Sequence, residues 1–235
     1  MPSLNENGGQ ILDLKQVAGE RAIEFVKDGM VVGLGTGSTT YFAIKRLGMM
    51  VNEGLNIIGI PTSVQTENIA KESGIKLSNL EEHPEIDITI DGADEVDPQL
   101  NLIKGMGGAL LREKIIACAS KMEVIVVDPS KMVSILGTKS PLPVEVSTFG
   151  WKNSLERLKK LGCDAKLRRK DENIYTTDNN NYIIDCSFEK IDEPINLESE
   201  INNIPGVMEN GLFLGMADVV IMGTEDGGKL FGQPL

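Results

Sequence analysis

The sequence is short of histidine, of cysteine, of long apolar runs and of positive charge, and each shortage removes a class of function. With His83 as the single histidine, a multi-histidine metal centre is impossible, and a histidine-based triad would have to use a residue in the loop-like stretch EEHPE. The three cysteines, Cys118, Cys163 and Cys186, are far apart, odd in number and form no CxxC pair, which removes zinc knuckles and dithiol redox motifs. Each is expected to pack as a small apolar residue in a reducing compartment. No apolar run reaches the about 18 residues of a membrane span. The opening MPSLNENGGQ lacks the basic-then-apolar layout of a secretion signal. A cytoplasmic protein without a membrane partner is therefore expected. Lys and Arg number 23 against 35 Asp and Glu, for a formal net charge of −12. Nucleic-acid binding depends on clustered cations that neutralise phosphates, so no nucleic-acid partner is expected. A small anion is still allowed, because backbone N–H groups and one or two lysines can hold it against the global field.

What is present suits a soluble globular protein. The 235 residues are enough for one large α/β domain with a smaller companion. Leu14, Ala18, Ala22, Phe25 and Val26 recur at helical spacing, with Asp13 as cap, Gln16 in the reciprocal box position and Gly29 as stop. MVVGLG, NIIGIPTS, IDITIDGAD and EVIVVDPS read as buried strands. Between them lie helices from Ser38 to Leu47, in SVQTENIAKESG (Ser63 cap, Gly74 stop) and in GALLREKIIACASK. Non-alternating strands separated by helices imply a parallel sheet covered on both faces, a Rossmann-like α/β arrangement. After about residue 137 the pattern changes to SPLPVEVSTF, the helix WKNSLERLKKLG, the strands AKLRR, NIYTT and NYIIDCSF with DNNN as a turn, and the helix NLESEINNIPG. This predicts a small α+β (ferredoxin-like) domain at 138–208, inserted into an α/β catalytic domain formed by 1–137 and 209–235, with a last buried strand at 218–222.

Four stretches carry chemistry. GLGTGSTT joins a strand to a helix start, where glycines, free helix N–H groups and the hydroxyls of Ser38, Thr39 and Thr40 make an anion site. Its G-x-G-x-G spacing is not the dinucleotide fingerprint, and no Walker lysine follows. DGADEVD brings Asp91, Asp94, Glu95 and Asp97 to the carboxyl end of a strand, where ligands of parallel sheets bind. A metal site, an acid/base site and a solvated turn are all readings of it. Glu95 and Asp97 suit the solvated turn, with Asp97-Pro98 closing a loop, and the nearby Lys104 opposes a divalent cation. In KGMGGALLREK, Glu113 shares a helical stripe with Ala109, Leu110, Ile116 and Ala117, so its carboxyl is expected to be partly desolvated, with a pKa raised towards that of a general base; an exposed glutamate paired with a surface lysine is the other reading. Lys131, in DPSKMV, follows a buried strand and belongs at the same sheet edge.

In this order, GLGTGSTT, DGADEVD, KGMGGALLREKIIA, DPSK and PLPVEV resemble the type A ribose-5-phosphate isomerases, and the likeness runs from Leu14 to GVMENGLFLGMADVVIMGT. That resemblance implies interconversion of D-ribose 5-phosphate and D-ribulose 5-phosphate in the non-oxidative pentose phosphate pathway, with no metal, no organic cofactor, and a homodimeric or homotetrameric assembly. It further implies a phosphate-binding loop at Thr36, Gly37, Ser38 and Thr39. A second substrate segment falls at Asp91, Gly92, Ala93 and Asp94, and a third at Lys104, Gly105, Met106 and Gly107. Glu113 is implied as the base and Lys131 as a further substrate contact. Asp91, Asp94 and Lys104 are implied to act beside Glu113 in proton handling and charge stabilisation. The family usually reads Lys-Gly-Gly-Gly where this chain has Met106; a methionine keeps the N–H, and so the contact, if its φ is negative. Two other readings remain at this level: a related sugar-phosphate isomerase or amino-sugar-phosphate deaminase, and a sensor domain that binds a sugar phosphate without turnover.

Overall fold

A computed structural model describes residues 13–233; the reading of MPSLNENGGQ lies outside them. In chain order the elements are α1 (Leu14–Ala22), β1 (Val31–Leu34), α2 (Thr40–Asn52), β2 (Ile58–Pro61), α3 (Val64–Glu72), β3 (Lys76–Leu77), β4 (Ile88–Asp91), β5 (Glu95–Val96), β6 (Leu102–Ile103), α4 (Leu110–Ala119) and β7 (Glu123–Val127). There follow β8 (Leu142–Val146), α5 (Trp151–Lys159), β9 (Asp164–Leu167), β10 (Arg169–Lys170), β11 (Asn173–Ile174), β12 (Tyr182–Ser187), α6 (Pro194–Asn202), β13 (Val207–Asn210), β14 (Leu212–Phe213), β15 (Val219–Thr224) and β16 (Gly227–Gly232).

The main sheet has the order β16-β15-β7-β4-β1-β2-β3. Its strands are parallel except β16, which returns antiparallel to β15. β4 and β7 are buried along their whole length, as expected of strands covered on both faces. Ile88, Ile90, Val124 and Val126 pack into the core shared with Ala18, Ala43 and Ala70 of α1, α2 and α3. The intervening Thr89 and Asp91 point to the other face, where α4 lies: Ser120, just past α4, is 2.7 Å from Thr89 through their hydroxyls. The chain builds outward from β1 to β3, then crosses back to place β4 on the other side of β1. The carboxyl ends of β1 and β4 thus flank the topological switch point of the sheet.

A second, antiparallel sheet, β13-β8-β12-β9, packs with α5 and α6 around Val144, Leu158, Ile184 and Ile201. A small three-stranded sheet, β14-β6-β5, lies between. Among the described residues no helix is long and apolar enough to cross a membrane.

Local signals decided several ends. Ser63 caps α3 by accepting from the Thr66 N–H at 3.1 Å, and Gly74 follows in the left-handed region at φ +77. Asp13 caps α1 through the Lys15 N–H, but the expected reciprocal contact from Gln16 does not form, since Gln16 donates to Glu20 one turn on. α2 begins at Thr40 rather than Ser38, which leaves Ser38 in the loop. The solvated-turn reading of Glu95 and Asp97 is corrected. Glu95 is fully buried and accepts from the N–H groups of Gly137, Lys139 and Ser140 at 2.5–2.6 Å. Asp97 is buried too, but it does close its loop, accepting from the N–H groups of Gln99 and Asn101. Cys163 and Cys186 are buried as expected, whereas Cys118 is exposed.

Candidate active site

The loop after β1 runs against the end of β4 so closely that only glycine fits at residue 35: a Cβ there would stand 2.2 Å from Asp91 Oδ1. That contact lets the Thr36 N–H reach Asp91 Oδ1 at 3.0 Å, beside the Gly92 N–H at 2.7 Å. The Thr36 hydroxyl is held in turn by Thr62, Ser63 and Thr66 at 2.7–3.0 Å. Beyond it, the N–H groups of Gly37, Ser38 and Thr39 have no acceptor among the described residues, and they lead into the N-terminus of α2. Such a row of free donors at a helix start suits a phosphate.

Three ionisable side chains meet below this loop. Lys104 is 2 % exposed, and its Nζ lies 3.0 Å from Asp91 Oδ2 and 3.5 Å from Glu113 Oε1. It also donates to the Gly92 carbonyl and lies over the Phe213 ring. Glu113 stands in the first turn of α4, 4 % exposed, with Oε2 unpartnered among the described residues. Burial pushes its carboxyl up to about 8, against the pull of the Lys104 charge and with a further push from Asp91 and Asp94. Asp91 is also raised by burial, opposed by Lys104 and by its hydrogen bonds. Burial alone would discharge Lys104, but the carboxylates of Asp91, Glu113 and Glu123 outweigh it and hold the ammonium above the usual lysine range. The site therefore combines one firmly held cation with a carboxyl poised near neutrality, the pairing a proton-transfer site requires.

A cavity of about 100 Å³ opens onto this cluster, lined by Thr36–Thr39, Gly92, Ala93, Asp94, Lys104, Gly105, Gly107, Glu113 and Lys131. All four chemistry-bearing stretches of the sequence thus meet in one place. Two of the residues singled out there stand elsewhere. Asp91 lies behind Lys104 rather than on the wall. Met106 is 46 % exposed, with its side chain turned outward and its N–H given to Asp94 Oδ2 at 2.9 Å. Met106 needs no glycine-only conformation; positive φ falls on Gly105 and Gly108 to either side of it. Lys131 is carried by a single helical turn whose start is capped by the Asp128 carboxylate through the Ser130 N–H.

Sequence reasoning missed two cations at the site. Lys15, on α1, donates to Ser38 Oγ at 3.0 Å. It also lines a larger neighbouring cavity of about 490 Å³ that shares Gly37 and Ser38 but none of the buried charges. Arg168, between β9 and β10, donates to the carbonyls of Gly105 and Met106. In sequence neither differs from an ordinary surface cation.

Comparison with known proteins shows which family the chain resembles. Residues 58–227 match the family model of ribose 5-phosphate isomerase A (phosphoriboisomerase A). A ribose-5-phosphate isomerase A of Bacillus mycoides is 52% identical over 220 residues, covering 93% of this chain and 99% of its own. One of Pyrococcus abyssi is 47% identical over 224 residues, covering 93% and 97%. Among solved structures, ribose 5-phosphate isomerase A of Methanocaldococcus jannaschii superimposes with TM-score 0.90 at 44% identity, over 94% of this chain and 99% of that one. A D-ribose-5-phosphate isomerase in complex with phospho-erythronic acid gives TM-score 0.90 at 45% identity, over 94% and 98%.

Proposed function

The chain belongs to the ribose 5-phosphate isomerase A family and is an aldose–ketose isomerase of ribose 5-phosphate; on that premise we propose how its own residues divide the work. Glu113 is the base that moves a proton between C2 and C1 of the sugar. The observation that carries this is its position: a buried carboxyl, raised to about 8, on the wall of the cavity beneath the phosphate loop. One base has to reach both carbons, and a side chain fixed on the first turn of a helix is rigid enough for that. Thr36–Thr39, Lys15 and Lys131 bind the phosphate, so that binding energy remote from the reaction holds C1 and C2 over Glu113. Negative charge develops on the sugar oxygens in the enediolate, and the Lys104 ammonium with the Gly107 N–H, both from residues that line the cavity, stabilises it. Asp94, on the cavity wall, handles the proton transfers of ring opening and between O1 and O2. Asp91, behind Lys104, acts by holding that ammonium in place.

These groups sit on the α/β domain of residues 1–137 and the C-terminal segment, with the small α+β domain beginning at 138. We place the end of the small domain after Asn210, because β13 pairs with β8. A reaction run by this residue set calls for no metal and no organic cofactor. The family resemblance adds a homodimeric or homotetrameric assembly and a cytoplasmic location; light scattering on the purified protein tests the first.

The deciding experiment is a direct assay of ribulose 5-phosphate formation beside the Glu113→Gln variant. The variant is expected to lose about 10²-fold or more in kcat while still binding ribose 5-phosphate. Near-normal turnover in that variant would remove Glu113 as the base. Ammonia release from glucosamine 6-phosphate without pentose isomerisation would instead favour a deaminase.

A further inference from the structure

Arg168 belongs to the small sheet's half of the molecule, yet its guanidinium reaches the loop that carries the candidate donors. Nη1 donates to the Gly105 carbonyl at 2.8 Å and to the Met106 carbonyl at 3.1 Å. Nε donates to Asp185 Oδ2 at 2.9 Å and Nη2 to Asp185 Oδ1, so the carboxylate on β12 grips the far side of the fork. The side chain is 10 % exposed. A guanidinium pinned by one carboxylate is a rigid, pre-organised donor, unlike a freely rotating surface arginine.

The consequence follows from the peptide unit. No cis peptide occurs among the described residues, and in a planar trans peptide the C=O and N–H point in opposite directions. With the Gly105 carbonyl held by Arg168, the N–H of the same peptide, that of Met106, points the other way and donates to Asp94 Oδ2 at 2.9 Å. With the Met106 carbonyl held by Arg168, the N–H of the same peptide, that of Gly107, is turned towards the cavity that Gly107 lines. That N–H has no acceptor among the described residues. A cation on the carbonyl side also polarises both peptides and strengthens their N–H groups as donors. Within the loop only the Gly105 carbonyl has a backbone donor, the Gly108 N–H at 3.0 Å; the Met106 carbonyl has none among the described residues, and Gly105 at φ +110 and Gly108 at φ +81 are the loop's most permissive points.

We propose that Arg168, oriented by Asp185, is a positioning residue for the isomerisation, aiming the Gly107 N–H at the developing enediolate and fixing the carboxylate of Asp94. This rests on the reading of the 104–107 segment given above. The small sheet then contributes to the chemical step without touching the substrate.

The test compares Arg168→Lys and Asp185→Asn with the unsubstituted protein. A lysine keeps the charge but cannot bridge two carbonyls while gripping Asp185. We expect kcat to fall roughly 30- to 100-fold in Arg168→Lys, in keeping with the cost of a donor moved by about 1 Å, and by less in Asp185→Asn. KM for ribose 5-phosphate and inhibition by inorganic phosphate should stay within about threefold, because the phosphate loop is untouched. Phospho-erythronate, whose planar carboxylate resembles the enediolate, should weaken in step with kcat/KM. Variants that keep kcat and phospho-erythronate affinity within about twofold would overturn the proposal; so would equal losses for phosphate and phospho-erythronate, the sign of a generally collapsed site. If the unsubstituted protein binds phospho-erythronate no more tightly than inorganic phosphate, the reading of the 104–107 segment fails first, and the role of Arg168 with it.

Discussion

Glu113 Oε1 and Lys104 Nζ stand 3.5 Å apart, and neither side chain is more than 5 % exposed. A cation this close would normally pull a carboxyl down, but burial outweighs it and leaves Glu113 at about 8. The base acts in its carboxylate form, so kcat/KM is expected to rise with pH through about 8 and to level off above it. The profile of kcat/KM reports the free enzyme, to which the structure refers. A profile that stays flat from about pH 6.5 to 9 would show that some other group carries the proton.

Lys15 and Lys131 approach the proposed phosphate loop from α1 and from the turn after β7, and neither is paired with Glu113, Asp91 or Lys104. Their contacts should be equally strong in the ground and transition states, which affects KM and leaves kcat alone. A hydrogen bond to a charged group contributes about 1.5–3 kcal/mol, so Lys15→Met and Lys131→Met should each raise KM roughly 10- to 100-fold. A loss confined to kcat would mean that the lysine serves the chemistry instead.

The parts of this architecture that were legible in sequence are those set by local physics. β4 and β7 are short strands buried along their whole length because both their faces are covered, and the glycines and hydroxyls after β1 mark a strand that ends in a loop of free N–H groups. Glu113 was legible because its helical neighbours are apolar. Glu95 was not: its three donors come from residues 137–140, more than forty positions downstream, and no local pattern announces a fully buried carboxylate. Arg168 was hidden for the same reason, since its partners in the 104–107 segment lie about sixty residues upstream. β16 was missed because GGKLFG has little strand propensity, and it forms as the antiparallel partner of β15.

Lys104 Nζ fills the space between Asp91 and Glu113 where a divalent cation would otherwise have to sit. Chelation should therefore leave kcat unchanged, and a loss restored by Mg²⁺ would revive a metal role for these carboxylates. Lys104→Met removes the cation that stabilises the carboxylate of Glu113 and, as proposed, the enediolate. It should lower kcat by at least about 10²-fold and move the pH limb to higher pH, because Lys104 is the group that holds the Glu113 pKa down. An unshifted limb would show that the two groups do not communicate.

Glu123 shares the sheet face of Asp91, in register with Thr89 on β4. It is 3 % exposed, and neither carboxyl oxygen has a partner among the described residues. Burial, with the charge of Asp91 next in size, raises its pKa well above the usual glutamate range. A group raised in the folded state contributes its stability below the unfolded pKa and loses it as pH climbs, so this carboxyl makes the protein less stable from about pH 4.5 upward. It is not on the wall of the cavity, although its charge adds to the field that holds Lys104. Glu123→Met puts an apolar side chain of similar size where a polar group is buried without a partner. It should stabilise the fold by about 1–3 kcal/mol near pH 7 and flatten the fall of Tm with pH. Thermal melts of both proteins at about pH 5 and about pH 8 decide the matter, and a lower Tm for the variant at the higher pH would show that Glu123 is partnered in solution.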